Sequence, residues 1–131
     1  FRSQKANMAM KMIFINMSLF DAGKFQIDKS KILDYLLNSI HPLGRIKARF
    51  FQSFGFKRED WRIFADSLQK QAENGNLVKK VESEFGIKYI IRGKINTPDK
   101  RNPTITTVWI EEKKSYGVRL ITAYPERRNE K

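Results

Sequence analysis

A chain of 131 residues can form one domain around one hydrophobic core, and 40% hydrophobic with 12% aromatic residues exclude disorder throughout. Twenty-six Lys and Arg face 14 Asp and Glu, and this net charge of +12 points to an acidic partner: nucleic acid, an anionic membrane surface or an acidic protein. With no cysteine, one histidine and scattered carboxylates, the chain offers no disulfide, no thiol nucleophile and no evident metal site, so no cofactor is expected.

The chain begins at Phe1 instead of Met, which reads as a piece of a longer polypeptide. From Ala6 to Phe20 it is apolar and Met-rich, but short and interrupted by Lys11 and Asn16, so stable membrane insertion is not expected. Residues 1–23 read as an N-terminal helical or delivery segment. Asp21-Ala22-Gly23 breaks it, and Lys24 to Ile27 is a short extended stretch leading to Asp28, a suitable helix N-cap. A first helix then carries Ile32, Leu33, Tyr35, Leu36 and Leu37 and ends near Asn38. After the loop His41-Pro42-Leu43-Gly44, the spacing of Ile46, Phe50 and Phe54, with Phe51, predicts a second helix over Arg45 to Phe54, closed by Gly55. A third helix, starting between Lys57 and Asp60, turns Trp61, Phe64, Ala65, Leu68 and Ala72 inward and stops at Asn74-Gly75-Asn76.

Beyond Gly75 the pattern becomes extended. Strands are predicted over Leu77 to Phe85, Ile87 to Ile95, Thr104 to Glu111 and Val118 to Tyr124, with residues 126–131 a charged tail. Helices followed by an antiparallel meander define an α+β domain: N-terminal helices packed on a three- to four-stranded sheet. Strand alternation places Val118, Leu120, Thr122 and Tyr124 on one face of the last strand and Arg119, Ile121 and Ala123 on the other. Trp109 reads as a core residue.

His41 is the single histidine, set in a loop at the mouth of a basic helix, where it could exchange a proton or simply pack the junction. Lys47 falls among Phe50, Phe51 and Phe54, so it either snorkels to solvent or enters a cleft as a phosphate clamp. Arg45 and Arg49 are candidates for backbone phosphates or a solvated helix face. Thr122 and Tyr124 could together hold a phosphate near the end of the last strand. Threonines and tyrosines are also ordinary strand residues.

These residues carry a resemblance. The stretch from His41 to Phe51 resembles the HPxGxxKAxFF signature of a bacterial domain family found alone and at the C-termini of large secreted toxins. Thr107 to Ile110, with Arg119 to Pro125 and its TAYP close, resembles the end of the same domain and the last strand of metal-independent RNases of the barnase, EndoU, colicin and RelE-like superfamily. The resemblance covers residues 24–125. It implies the RNase toxin of a contact-dependent growth inhibition or other polymorphic toxin system, carried by a larger secreted or cell-surface protein and acting in the target-cell cytoplasm. It further implies His41, Lys47 and Thr122 as catalytic positions, with Arg45, Thr107 and Tyr124 as second choices; these three and Arg49, from its place on the basic helix, are the substrate-binding candidates.

On that footing the expected reaction is metal-free cleavage of RNA, tRNA first, through the ribose 2′-hydroxyl to a 2′,3′-cyclic phosphate. His41 would transfer the proton, Lys47 supply charge and Thr122 a hydrogen bond. The expected partners are RNA, an acidic immunity protein and, for some toxins of this type, elongation factor Tu. The rival readings are a non-catalytic RNA-binding module, a basic membrane-engaging delivery domain and a metal-requiring DNase.

Overall fold

A computed structural model describes residues 25–113 and 117–126. The Met-rich segment and most of the charged tail lie outside the described residues. The helices come first and the meander second, as the sequence pattern predicts. The chain runs β1 (Phe25–Gln26), α1 (Lys29–Lys31) continuing as a π-helical turn (Ile32–Leu36), α2 (Arg45–Ser53), a 3-10 turn (Arg58–Asp60) and α3 (Trp61–Asn74). Then follow β2 (Asn76–Ser83), β3 (Gly86–Lys94), β4 (Thr104–Glu112) and β5 (Val118–Pro125).

The sheet has five strands in the order β1-β5-β4-β3-β2, where the sequence predicts three or four. The addition is β1, which pairs parallel to β5 with Phe25 opposite Val118 and Gln26 opposite Arg119. Two residues are too few to show a strand period, so this edge reads from sequence only as an extended approach to the first helix. The β2 to β5 meander is antiparallel throughout.

One face of the sheet carries the core: Tyr89 and Ile91 of β3, Ile105 and Trp109 of β4, Val118, Leu120 and Ala123 of β5. Against it lie Ile32, Leu36 and Leu37, then Ala48 and Phe51 of α2, and Phe64, Ala65, Leu68 and Ala72 of α3. Trp109 is fully buried, as expected, with its ring centroid 4.7 Å from that of Phe25. Each large apolar side chain so buried contributes about 1.5–3 kcal/mol before entropy is charged against it.

The inward face of α2 differs from the sequence expectation. Ala48 and Phe51 are buried, Phe50 and Phe54 lie half-buried on the flank, and Ile46 is 70% exposed. The reason is rotational: Phe51 inserts between Phe56 and Phe64, with its centroid 4.8 Å from Phe64, and this turns Ile46 to the outside. Arg101 covers the flank, its guanidinium 4.1 Å from the Phe54 ring centroid. Gly55 closes the helix at φ +105°, the left-handed region that favours glycine.

A second correction concerns β5. Leu120 pairs with Trp109 and Thr122 with Val108, so Ile121 is an extra residue in a β-bulge. The bulge moves Thr122 and Tyr124 off the face of Val118 and Leu120, and Ala123 takes the core position opposite Thr107. Strict alternation from Val118 fails at this bulge.

Candidate active site

The site forms where α1, the loop after it, the start of α2 and the bulged part of β5 meet. An open cavity of about 540 Å³ is lined there by Ser30, Lys31, Asp34, Tyr35, His41, Leu43, Ile121 and Thr122. The π turn matters to its construction. By widening one turn it lets Ile32, Leu36 and Leu37 all enter the core, while Tyr35 stays half-buried and reaches β5. The Tyr35 hydroxyl and Thr122 Oγ1 are hydrogen-bonded at 3.2 Å, across 87 residues of sequence.

His41 is fixed by the backbone that follows it. Its Nδ1 accepts hydrogen bonds from the N–H groups of Leu43 and Gly44, each at 2.9 Å, and its carbonyl accepts from the N–H of Arg45 at 3.0 Å. These bonds satisfy donors at the start of α2 that no helical carbonyl can reach. An Nδ1 that accepts twice carries no proton, so the ring proton of the neutral imidazole resides on Nε2. The ring meets Tyr35 edge-on, with centroids 5.1 Å apart.

Lys47 lies in the first turn of α2. It does not simply snorkel away: its Nζ lies 5.6 Å from the Tyr35 ring centroid, and Lys31 approaches the same ring at 5.3 Å. Burial pushes the Tyr35 phenol up, but the hydrogen bond with Thr122 and the nearby ammonium groups of Lys47 and Lys31 outweigh it. The net effect leaves Tyr35 below the ordinary tyrosine value.

His41, Lys47 and Thr122, which the sequence brings forward as catalytic candidates, thus converge on one residue that it does not. Tyr35 reads in sequence as one more apolar helix position between Leu33 and Leu36. Its only distinguishing signal is a lysine four residues earlier, and the π turn that aims it at β5 leaves no mark in residue spacing.

The remaining candidates separate. Arg45 and Arg49 lie exposed on α2 and do not line the cavity. Tyr124 is half-buried, on the same sheet face as Thr122, and is paired with Thr106. Thr107 is fully buried on the opposite face, in the core. Its hydroxyl donates to Gln71 Oε1 at 2.7 Å and accepts from Trp109 Nε1 at 2.8 Å, so in this structure it is engaged in the core, apart from the other candidates. Among the described residues no three His, Asp or Glu side chains are grouped to hold a metal ion, and no helix is long and apolar enough to cross a membrane.

The fold class is that of small α+β domains with helices laid on one face of a mostly antiparallel sheet. A solved structure described as a contact-dependent growth inhibition toxin–immunity protein complex from Klebsiella pneumoniae 342 contains a chain of the same fold. The TM-score is 0.61 at 21% identity, covering 76% of this chain and 98% of that one. By sequence the chain belongs to DUF6883, a family described as a domain of unknown function, whose profile matches residues 18–127. No curated protein matches it.

Proposed function

We propose that this domain is the toxin of a contact-dependent growth inhibition or related system, and that it cuts RNA, tRNA foremost, without a metal ion. The carrying observation is the convergence of His41, Lys47 and Thr122 on Tyr35 beside an open cavity in a chain of net charge +12. Cleavage through the 2′-hydroxyl needs a proton acceptor, a cation for the charge that grows on the phosphoryl oxygens, and neutral donors to hold them. The cluster supplies each type of group. DNA lacks the internal nucleophile, which favours RNA.

In this reading the Lys47 ammonium stabilises the pentacoordinate phosphorus and the Nε2–H of His41 donates to a phosphoryl oxygen. Arg45, Arg49 and Tyr124 contact the flanking chain. The fold shared with the toxin–immunity complex supports a toxin delivered by a larger secreted or cell-surface protein and neutralised by an immunity protein. The positive charge calls for an acidic one. Exposed Ile40, Leu43 and Ile46 beside Arg45 and Arg49 offer it an apolar and basic surface at the mouth of the site.

The test is incubation of purified domain with total tRNA in EDTA, with and without elongation factor Tu, beside His41→Ala. Cleavage by the wild type that the variant loses supports the reading. Equal RNA affinity with no cleavage by either protein, in both arms, makes the domain a binding module instead. Cleavage of DNA that appears only on addition of a divalent metal makes it a DNase.

A further inference from the structure

We infer, on the footing of the proposed RNA cleavage, that Tyr35 is the proton acceptor of the site and that His41 is a fixed hydrogen-bond donor. The two roles follow from complementary geometry. An imidazole acts as a base at Nε2 only if Nδ1 holds the ring proton, and here Nδ1 accepts from the backbone N–H groups of Leu43 and Gly44 at 2.9 Å each. A protonated Nδ1 would set three donors against one another. His41 is therefore locked as an Nε2–H donor, suited to a phosphoryl oxygen and unsuited to removing a proton.

The group built to take a proton is the one on which the others converge. The Tyr35 oxygen has Thr122 Oγ1 at 3.2 Å, and the Lys47 and Lys31 ammonium groups stand 5.6 and 5.3 Å from the ring centroid. That hydrogen bond and both charges favour the ionised phenol, and Tyr35 lies below its ordinary value despite burial. Asp34, exposed in the same cavity wall, is the carboxylate that lines the site. It reads as the rival base.

The step balances within the cluster. In its ionised form Tyr35 takes the proton of the 2′-hydroxyl as O2′ bonds to phosphorus. The P–O5′ bond breaks, and the departing 5′ oxygen takes a proton from the Lys47 ammonium. Lys47 then recovers its proton from the adjacent Tyr35 phenol, so the site returns to phenolate and ammonium. No water or co-reactant is consumed, and the products are a 2′,3′-cyclic phosphate and a 5′-hydroxyl.

Two measurements test this. Alkaline titration of tyrosine absorbance at 295 nm, wild type minus Tyr35→Phe, isolates the Tyr35 ionisation without reference to RNA. It is expected to precede that of the other tyrosines. Cleavage kinetics then compare wild type, Tyr35→Phe, Asp34→Asn and a protein with 3-fluorotyrosine at position 35. Tyr35→Phe is expected to lower kcat by about 10²–10⁴-fold. The fluorinated protein should move the acid limb of kcat/KM to lower pH by the amount fluorine lowers the phenol's pKa. If wild type cuts no RNA, the cleavage reading fails and the assignment with it. If wild type cuts but Tyr35→Phe stays within a few-fold, or the fluorinated protein keeps its acid limb, only the assignment of the base falls. If Asp34→Asn abolishes the limb while Tyr35→Phe leaves it, the base is Asp34.

Discussion

Gly44 and Tyr35 are in contact so close that no side chain fits between them. A Cβ placed on Gly44 would lie 2.6 Å from the Tyr35 carbonyl oxygen and 2.7 Å from its Cδ1. The glycine of the loop motif thus gives Tyr35 room to stand between His41 and β5. Gly44→Ala is expected to push the ring away from Thr122 and destabilise the fold by about 1–3 kcal/mol, the usual range for overpacking. Thermal unfolding measures the loss of stability. The tyrosine titration measures the displacement of the ring, with Tyr35 moving back toward its ordinary value.

In the proposed mechanism Lys47 acts on Tyr35 and on substrate at once, and the two effects can be separated. Lys47→Met keeps much of the apolar stem and removes the charge. The Tyr35 phenol should rise, and cleavage should fall by about 10²–10³-fold, as for loss of one preorganised donor to a transition state. Far-ultraviolet circular dichroism should be unchanged. A fall in activity without any movement of Tyr35 would place Lys47 on the substrate alone.

Thr107 discriminates a core threonine from a site threonine. It sits at the centre of a buried network in which Gln71 Nε2 also donates to the carbonyls of Ile91, Gly93 and Ile105. Thr107→Val leaves Gln71 Oε1 and Trp109 Nε1 without this partner, at a cost of about 1–3 kcal/mol. Urea denaturation should show the loss, while cleavage per folded molecule stays near that of wild type. Thr122→Val should do the reverse.

Two tyrosines should pull alkaline stability in opposite directions. Tyr89 donates to Glu111 Oε1 at 2.7 Å, and burial followed by the Glu111 carboxylate pushes its phenol well up. A raised phenol contributes stability that is fully present below the unfolded value, near 10, and is lost as pH rises, by about 1.4 kcal/mol per unit. Tyr35 is lowered, so its contribution is present above the unfolded value and lost as pH falls through the folded one. The free energy of unfolding, followed from pH 8 to 11, should therefore decline less steeply in Tyr89→Phe and more steeply in Tyr35→Phe than in wild type.

The order of helices and strands was legible because apolar period and turn residues act locally. Phe64, Ala65, Leu68 and Ala72 do face inward, and Gly75 does end α3. What escaped depends on contacts distant in sequence. Phe51, not Ile46, seats α2 because Phe56 and Phe64 are there to receive it. The bulge at Ile121 reverses the strand faces beyond it, and Gln71 of α3 hydrogen-bonds Thr107 inside the core. At the site, His41, Lys47 and Thr122 stood out by type and motif. Tyr35 did not, since a tyrosine between leucines looks apolar until a π turn aims its hydroxyl at another strand.

Cleavage of total tRNA in EDTA, with the product ends determined, bears most directly on the central claim. Fragments bearing 5′-hydroxyls that polynucleotide kinase labels without prior phosphatase, and 2′,3′-cyclic phosphates that resist phosphatase until acid opens them, are the predicted result. They should appear with wild type, with or without elongation factor Tu, and be strongly reduced by Tyr35→Phe. Products with 5′-phosphates and 3′-hydroxyls, or cutting that begins only when a divalent metal is restored, would contradict it.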